Sequence, residues 1–167
     1  PNQALSDAAA LLGADGCSGL SLAHRINSWV YGAFRYESNI TDVSTTAGEA
    51  LALGMGVCQD YAHIMLTLCR LCGLPARYVS GHLLGEGGTH AWLEVLLPDP
   101  LDPASLVAWP FDPTHDRLAG PSYVTVAVGR DYADVAPTSG TFKATYGGQL
   151  SCRKRVGVTN VEYDLAS

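Results

Sequence analysis

The segment that most restricts this fold runs from a glycine turn, Gly54-Met55-Gly56, into CQDYAHIMLTLCRLC over Cys58–Cys72, and stops at Gly73 before Pro75. Its residues are apolar on most sides of a helix, and a helix apolar all round is a buried one. The rest of the chain must therefore be arranged around it. The glycine turn also places Cys58 in the first helical turn, where unpaired backbone N–H groups and the helix dipole favour a thiolate over a thiol.

Three shorter helical signals precede it. Ser6–Leu12 is rich in Ala and Leu and stops at Gly13. Ser21 caps a helix whose apolar positions Leu22, Ile26, Trp29 and Val30 recur at helical spacing. Thr46 and Glu49 have capping-box spacing and open a short helix through Leu51. After Pro75 the pattern turns strand-like. Arg77–Leu84 and His90–Leu97 flank the loop Gly85-Glu86-Gly87-Gly88-Thr89 as a hairpin. Leu106–Phe111 is a further strand ending at Asp112-Pro113, and Tyr123–Val128, Thr141–Tyr146 and Arg153–Tyr163 follow. Helices first and antiparallel strands afterwards point to an α+β fold. No repeat, low-complexity tract or linker interrupts the chain, so residues 1–167 are expected to form a single domain. The first residue is Pro1, which suggests an excerpt of a longer chain with a further domain upstream.

Charge and composition exclude some classes of function. A net charge of −6 speaks against nucleic acid as a partner, since binding there relies on Lys and Arg neutralising phosphates. No apolar run approaches the roughly 20 residues that span a bilayer, so no membrane partner is expected. The five cysteines cannot all pair internally, and with no signal segment visible the expectation is free thiols in the cytoplasm. Cys69 and Cys72 have CxxC spacing, but no second Cys/His pair accompanies them, so they read as core thiols; no cofactor and no metal are expected. Cys17 and Cys152 carry no sign of activation.

A nucleophilic thiol needs a base, and the base an orienter. His90 opens a strand after a glycine-rich loop, with Trp92 and Glu94 on its own face by the period-two rule. If its strand pairs antiparallel with the one ending at Asp112, the two residues come together. The other histidines are weaker candidates: His63 packs on the helix of Cys58, His82 lies in a strand that can border a cleft, and His24 and His115 are expected at the surface. Asp60 and Tyr61 are expected to serve structure, the acid favouring the helix dipole. Arg130, Asp131 and Asp134 are expected to form ion pairs in a loop.

The runs Gly56-Val57-Cys58-Gln59-Asp60-Tyr61-Ala62-His63, Gly73-Leu74-Pro75-Ala76-Arg77-Tyr78-Val79-Ser80-Gly81, His90-Ala91-Trp92-Leu93-Glu94 and Asp112-Pro113-Thr114 resemble the bacterial transglutaminase-like family. The likeness extends from about Trp29 to Pro137. It implies a papain-like, transglutaminase-core fold in which the nucleophile helix packs on an antiparallel sheet. It also implies a triad of Cys58 as nucleophile, His90 as base and then acid, and Asp112 as orienter. The chemistry implied is acyl transfer on protein or peptide amides through a thioester, resolved by water or by an amine, hydrolysis being the favoured outcome. A binding or scaffold domain that has lost activity is the alternative, and the intact Cys58, His90 and Asp112 count against it.

Overall fold

The computed structural model describes residues 2–102 and 104–136, together with isolated positions 145, 147, 157 and 159. The strands expected at Thr141–Tyr146 and Arg153–Tyr163, and Cys152, lie outside the described residues, positions 145, 147, 157 and 159 excepted.

Two helices open the chain, α1 (Gln3–Gly13) and α2 (Gly19–Ala33). Each begins earlier than its sequence signal: Asn2 caps α1 by accepting from the Leu5 N–H, and Ser18 rather than Ser21 stands at the N-cap of α2. A two-residue strand, β1 (Arg35–Tyr36), pairs parallel with β2 (Met55–Gly56). Between them lies α3 (Ala47–Leu53), opened by the expected capping box of Thr46 and Glu49 and closed at Gly54, whose φ of 68° suits glycine.

The central helix α4 covers Cys58–Leu71. Its start is fixed by Asp60, whose Oδ2 accepts the Val57 N–H at 2.8 Å and the Thr41 hydroxyl at 2.6 Å. Gly56 has to be a glycine because a Cβ there would run into the Asp60 carboxylate and the ring of Phe34. Ile64, Met65, Leu66 and Leu68 are all buried, each contributing roughly 1.5–3 kcal/mol against exposure. They pack because α4 is surrounded, with α1, α2 and α3 around it and β3 (Ala76–Leu83) and β4 (His90–Pro98) beneath.

Those strands form the expected hairpin within a sheet ordered β6-β5-β4-β3-β7. Here β5 is Leu106–Asp112, β6 Arg117–Leu118 and β7 Tyr123–Gly129. Each neighbouring pair is antiparallel, and β3 and β7 shift register between Ser80 and Gly81. A short helix, α5 (Tyr132–Val135), stands where sequence suggested only a loop. The α+β architecture, with α4 packed on an antiparallel sheet, is as expected.

Candidate active site

Cys58 is the first residue of α4, so its backbone N–H has no partner within the helix. The side chain is half-buried. Tyr61 locks the helix behind it by donating its hydroxyl to the Phe34 carbonyl at 2.8 Å. His90 opens β4, and Asp112 ends β5. The ladder between those strands runs to Leu93↔Phe111, which brings the two ends together. His90 Nε2 then lies 2.8 Å from Asp112 Oδ2, with both residues buried. The remaining ring nitrogen, Nδ1, is left for Cys58, which is close enough to hydrogen-bond the imidazole. The structure thus brings all three sequence candidates into one site.

Asp112 is held by more than His90. Its Oδ2 also accepts from His115 Nδ1 at 2.7 Å and the Tyr123 hydroxyl at 2.6 Å, and Oδ1 accepts the Thr114 N–H at 2.9 Å. Arg117 Nε in turn donates to the Tyr123 oxygen at 2.8 Å. Burial alone would raise the Asp112 carboxyl, but these donors, His90 foremost, hold it down at about 2. Burial likewise opposes a charged His90, yet the hydrogen bonds to Asp112 and Cys58 prevail and lift it to about 10. The arrangement favours an imidazolium held against the Asp112 carboxylate.

His115 was expected at the surface; instead it binds Asp112. The reason is local. The turn after β5 folds back on Asp112, with Asp116 at φ 49° clamped to α2 by Asn27 Nδ2 at 2.7 Å and Ser28 Oγ at 2.8 Å. The i,i+3 spacing of Asp112 and His115 was the available signal. Glu86 was also missed. From the hairpin loop, its Oε1 lies 3.1 Å from His115 Nε2 and its Oε2 3.7 Å from His90 Nδ1. With Tyr36, Gly87, His90, Thr114 and His115 it lines a cavity of about 520 Å³. His90, Asp112 and His115 each bring a metal-ligating type of atom within 4.8 Å of the others.

The other candidates take structural positions. Trp92 is buried and stacks under His90 with ring centroids 6.1 Å apart. Glu94 pairs with Arg77 at 2.6 Å, and His82 Nδ1 meets the Gly88 carbonyl at 3.2 Å within its own hairpin. His63 Nε2 accepts the Tyr132 N–H at 3.3 Å, while His24 is exposed and packs edge-on against Phe111. Arg130 and Asp134 form the expected ion pair at 2.8 Å, whereas Asp131 caps α5 through the Ala133 N–H. Cys69 is a core thiol, and burial pushes it up to about 12. Cys17 and Cys72 are half-buried and free.

Comparison with known proteins agrees with this fold. An uncharacterised protein of Mycobacterium tuberculosis is 40% identical over 124 residues, covering 68% of this chain and 39% of that one, so the chain spans about two fifths of that relative. The crystal structure of a candidate cysteine protease from Cytophaga hutchinsonii is similar, with a TM-score of 0.67 at 30% identity, covering 81% of this chain and 45% of that one. The periplasmic domain of TgpA from Pseudomonas aeruginosa has the same fold, with a TM-score of 0.54 at 22% identity over 69% of this chain and 45% of that one. That likeness overturns the cytoplasmic expectation. A fold stabilised by a packed core needs neither disulfides nor a reducing compartment, so unpaired cysteines carry no address. Residues 13–105, more than half of the sequence, match the description "Transglutaminase-like superfamily". The chain belongs to the transglutaminase-like superfamily.

Proposed function

We propose that this chain is a cysteine-dependent acyl-transfer enzyme acting on protein or peptide amide bonds, with Cys58, His90 and Asp112 as its triad. The observation that carries this reading is the 2.8 Å bond from His90 Nε2 to Asp112 Oδ2, which orients the ring and leaves Nδ1 clear of the acid, with Cys58 within hydrogen-bonding reach of the imidazole. The Cys58 thiolate attacks the carbonyl carbon of a bound amide. Negative charge gathers on the carbonyl oxygen, and the unpaired Cys58 N–H at the start of α4 is the natural donor to it. His90 then gives its Nδ1 proton to the departing ammonia or amine, leaving a thioester. Water, or a primary amine, attacks that thioester while His90 Nδ1 takes back a proton, and Asp112 holds the imidazole in one orientation through both halves.

Hydrolysis is favoured over amine transfer. Transfer requires that water be kept from the thioester, whereas Glu86 and His115 at the cavity rim have side chains 49% and 32% exposed. The test incubates the protein with a glutamine-containing peptide, casein and a labelled primary amine, following ammonia release, peptide cleavage and incorporation. Ammonia release or cleavage without incorporation, all lost in Cys58→Ala, is the expected result. Incorporation in preference to hydrolysis overturns the preference for water. Turnover undiminished in Cys58→Ala, or absent from the wild type, overturns the enzyme reading itself.

A further inference from the structure

The acid that orients His90 carries a second imidazole for which the acyl-transfer steps have no use. His115 Nδ1 and His90 Nε2 approach the same oxygen, Asp112 Oδ2, at 2.7 and 2.8 Å. Behind the two rings stands one further carboxylate, with Glu86 Oε1 3.1 Å from His115 Nε2 and Oε2 3.7 Å from His90 Nδ1. Asp112 is supported from outside in the same way, by the Tyr123 hydroxyl at 2.6 Å and the Thr114 N–H at 2.9 Å. Two imidazole nitrogens and a carboxylate oxygen within 4.8 Å of one another, with a further carboxylate beside the rings and hydrogen-bond donors on the acid, make a donor set suited to a transition metal. Ligating histidines commonly give their other N–H to a carboxylate, which fixes tautomer and ring orientation.

We infer that His90, Asp112 and His115 form a site for a divalent ion of the zinc type, with Glu86 as the outer carboxylate, and that the bound ion switches the active site off. The donor set selects the ion: calcium and magnesium take oxygen ligands, whereas imidazole with carboxylate suits zinc. Without metal, the protons on His90 Nε2 and His115 Nδ1 bridge each ring to Asp112. On binding, each ring ligates as a neutral imidazole through the nitrogen that now faces Asp112, so its one remaining hydrogen sits on the other ring nitrogen and any second proton passes to solvent. Two metal–nitrogen bonds and one metal–oxygen bond take the place of the two hydrogen bonds to Asp112, and water fills the open position. Bonds of about 2.0–2.2 Å set tetrahedral neighbours about 3.3 Å apart, so the present contacts must open by roughly half an ångström. Both outer groups have room to follow, since Glu86 sits in a loop with Gly85, Gly87 and Gly88, and the His115 side chain is 32% exposed. With Nε2 on the ion, His90 can no longer carry protons on both nitrogens, and the transfer to the leaving group stops.

Metal binding stands apart from the acyl-transfer reading; only the inhibition rests on it. The test measures ZnCl₂ binding by calorimetry, and Co²⁺ absorption, in the wild type, Cys58→Ala, Glu86→Gln and His115→Ala. The expected result is one ion per chain, retained in Cys58→Ala, with visible Co²⁺ bands and no thiolate charge-transfer band. Binding weakens about 10–100-fold in Glu86→Gln, a change at an exposed side chain that leaves folding alone, and by more in His115→Ala. Loss of the ion in Cys58→Ala would place it on the thiol, and wild-type affinity in both Glu86→Gln and His115→Ala would place it elsewhere; either result overturns the site. Saturating zinc is expected to stop amide turnover, and EDTA to restore it. Turnover undiminished by bound zinc overturns the inhibition. Cys58 alkylation measured without zinc reports separately on the triad.

Discussion

Asp112→Asn preserves the side chain's volume and removes the charge on which the site is organised. In the wild type Oδ2 receives His90, His115 and Tyr123 at 2.6–2.8 Å, and Oδ1 receives the Thr114 N–H at 2.9 Å. An amide accepts at one end only, so at least one buried donor is left unpaired, which costs about 1–3 kcal/mol. The charge loss adds to this. Burial opposes both ions, yet Asp112 is held at about 2 against 3.8 and His90 at about 10 against 6.5. With each tenfold change in proton affinity worth about 1.4 kcal/mol, Asp112 records about 2 kcal/mol and His90 about 5. The two figures describe one coupled pair and differ, and Cys58 also contributes to the rise at His90, so the smaller figure is taken for the Asp112–His90 pair. His90 binds its proton more tightly when folded, so its contribution is complete below pH 6.5 and is lost as pH rises through about 10. The Asp112 contribution has the opposite sign, being complete above pH 3.8 and lost as pH falls through about 2. Urea unfolding of wild type and variant from pH 4 to 10 is expected to show a deficit of about 3–5 kcal/mol between pH 4 and 6.5, narrowing by about 2 kcal/mol toward pH 10. A deficit constant across pH 6 to 10 would refute the reasoning.

Other substitutions test neighbouring parts of the structure. Gly56→Ala drives a methyl group into the Asp60 carboxylate and the Phe34 ring, and is expected to lower stability by about 1–3 kcal/mol in thermal or urea unfolding. Tyr123→Phe removes one of the donors that hold Asp112 down, so its carboxyl rises and the acid-unfolding midpoint moves to higher pH, as a pH titration followed by circular dichroism would register. Cys69, buried and pushed up to about 12, is expected to resist iodoacetamide in the folded protein and to react in urea, which peptide mapping reads directly.

The parts of this structure legible in sequence are those with a local cause. The glycine turn, the acid Asp60 in the first helical turn and the all-round apolarity of Cys58–Leu71 announce a buried helix with a thiol at its tip. The glycine loop before His90 announces the hairpin, and antiparallel pairing with the strand ending at Asp112 then joins base to acid. What escaped is non-local. β7 joins the far edge of β3 across the register shift at Ser80/Gly81, and nothing in Tyr123–Gly129 specifies that partner; yet this placement is what delivers the Tyr123 hydroxyl to Asp112. The parallel pair of β1 and β2, only two residues each, is too short to leave a periodic pattern. His115 read as a surface residue because the clamp that turns it inward, Asp116 on Asn27 and Ser28, comes from α2, far away in the chain.

The central claim is that Cys58 is the thiol activated by His90. Iodoacetamide labelling between pH 6 and 8, with the modified peptides mapped over time, tests it most directly. Cys17 and Cys72 serve as half-buried internal controls in the same molecule. Cys58 is expected to react first, at least about tenfold faster than either, and His90→Ala is expected to abolish that advantage. Equal rates at the three thiols, or a Cys58 that stays unmodified while the others react, would contradict the account.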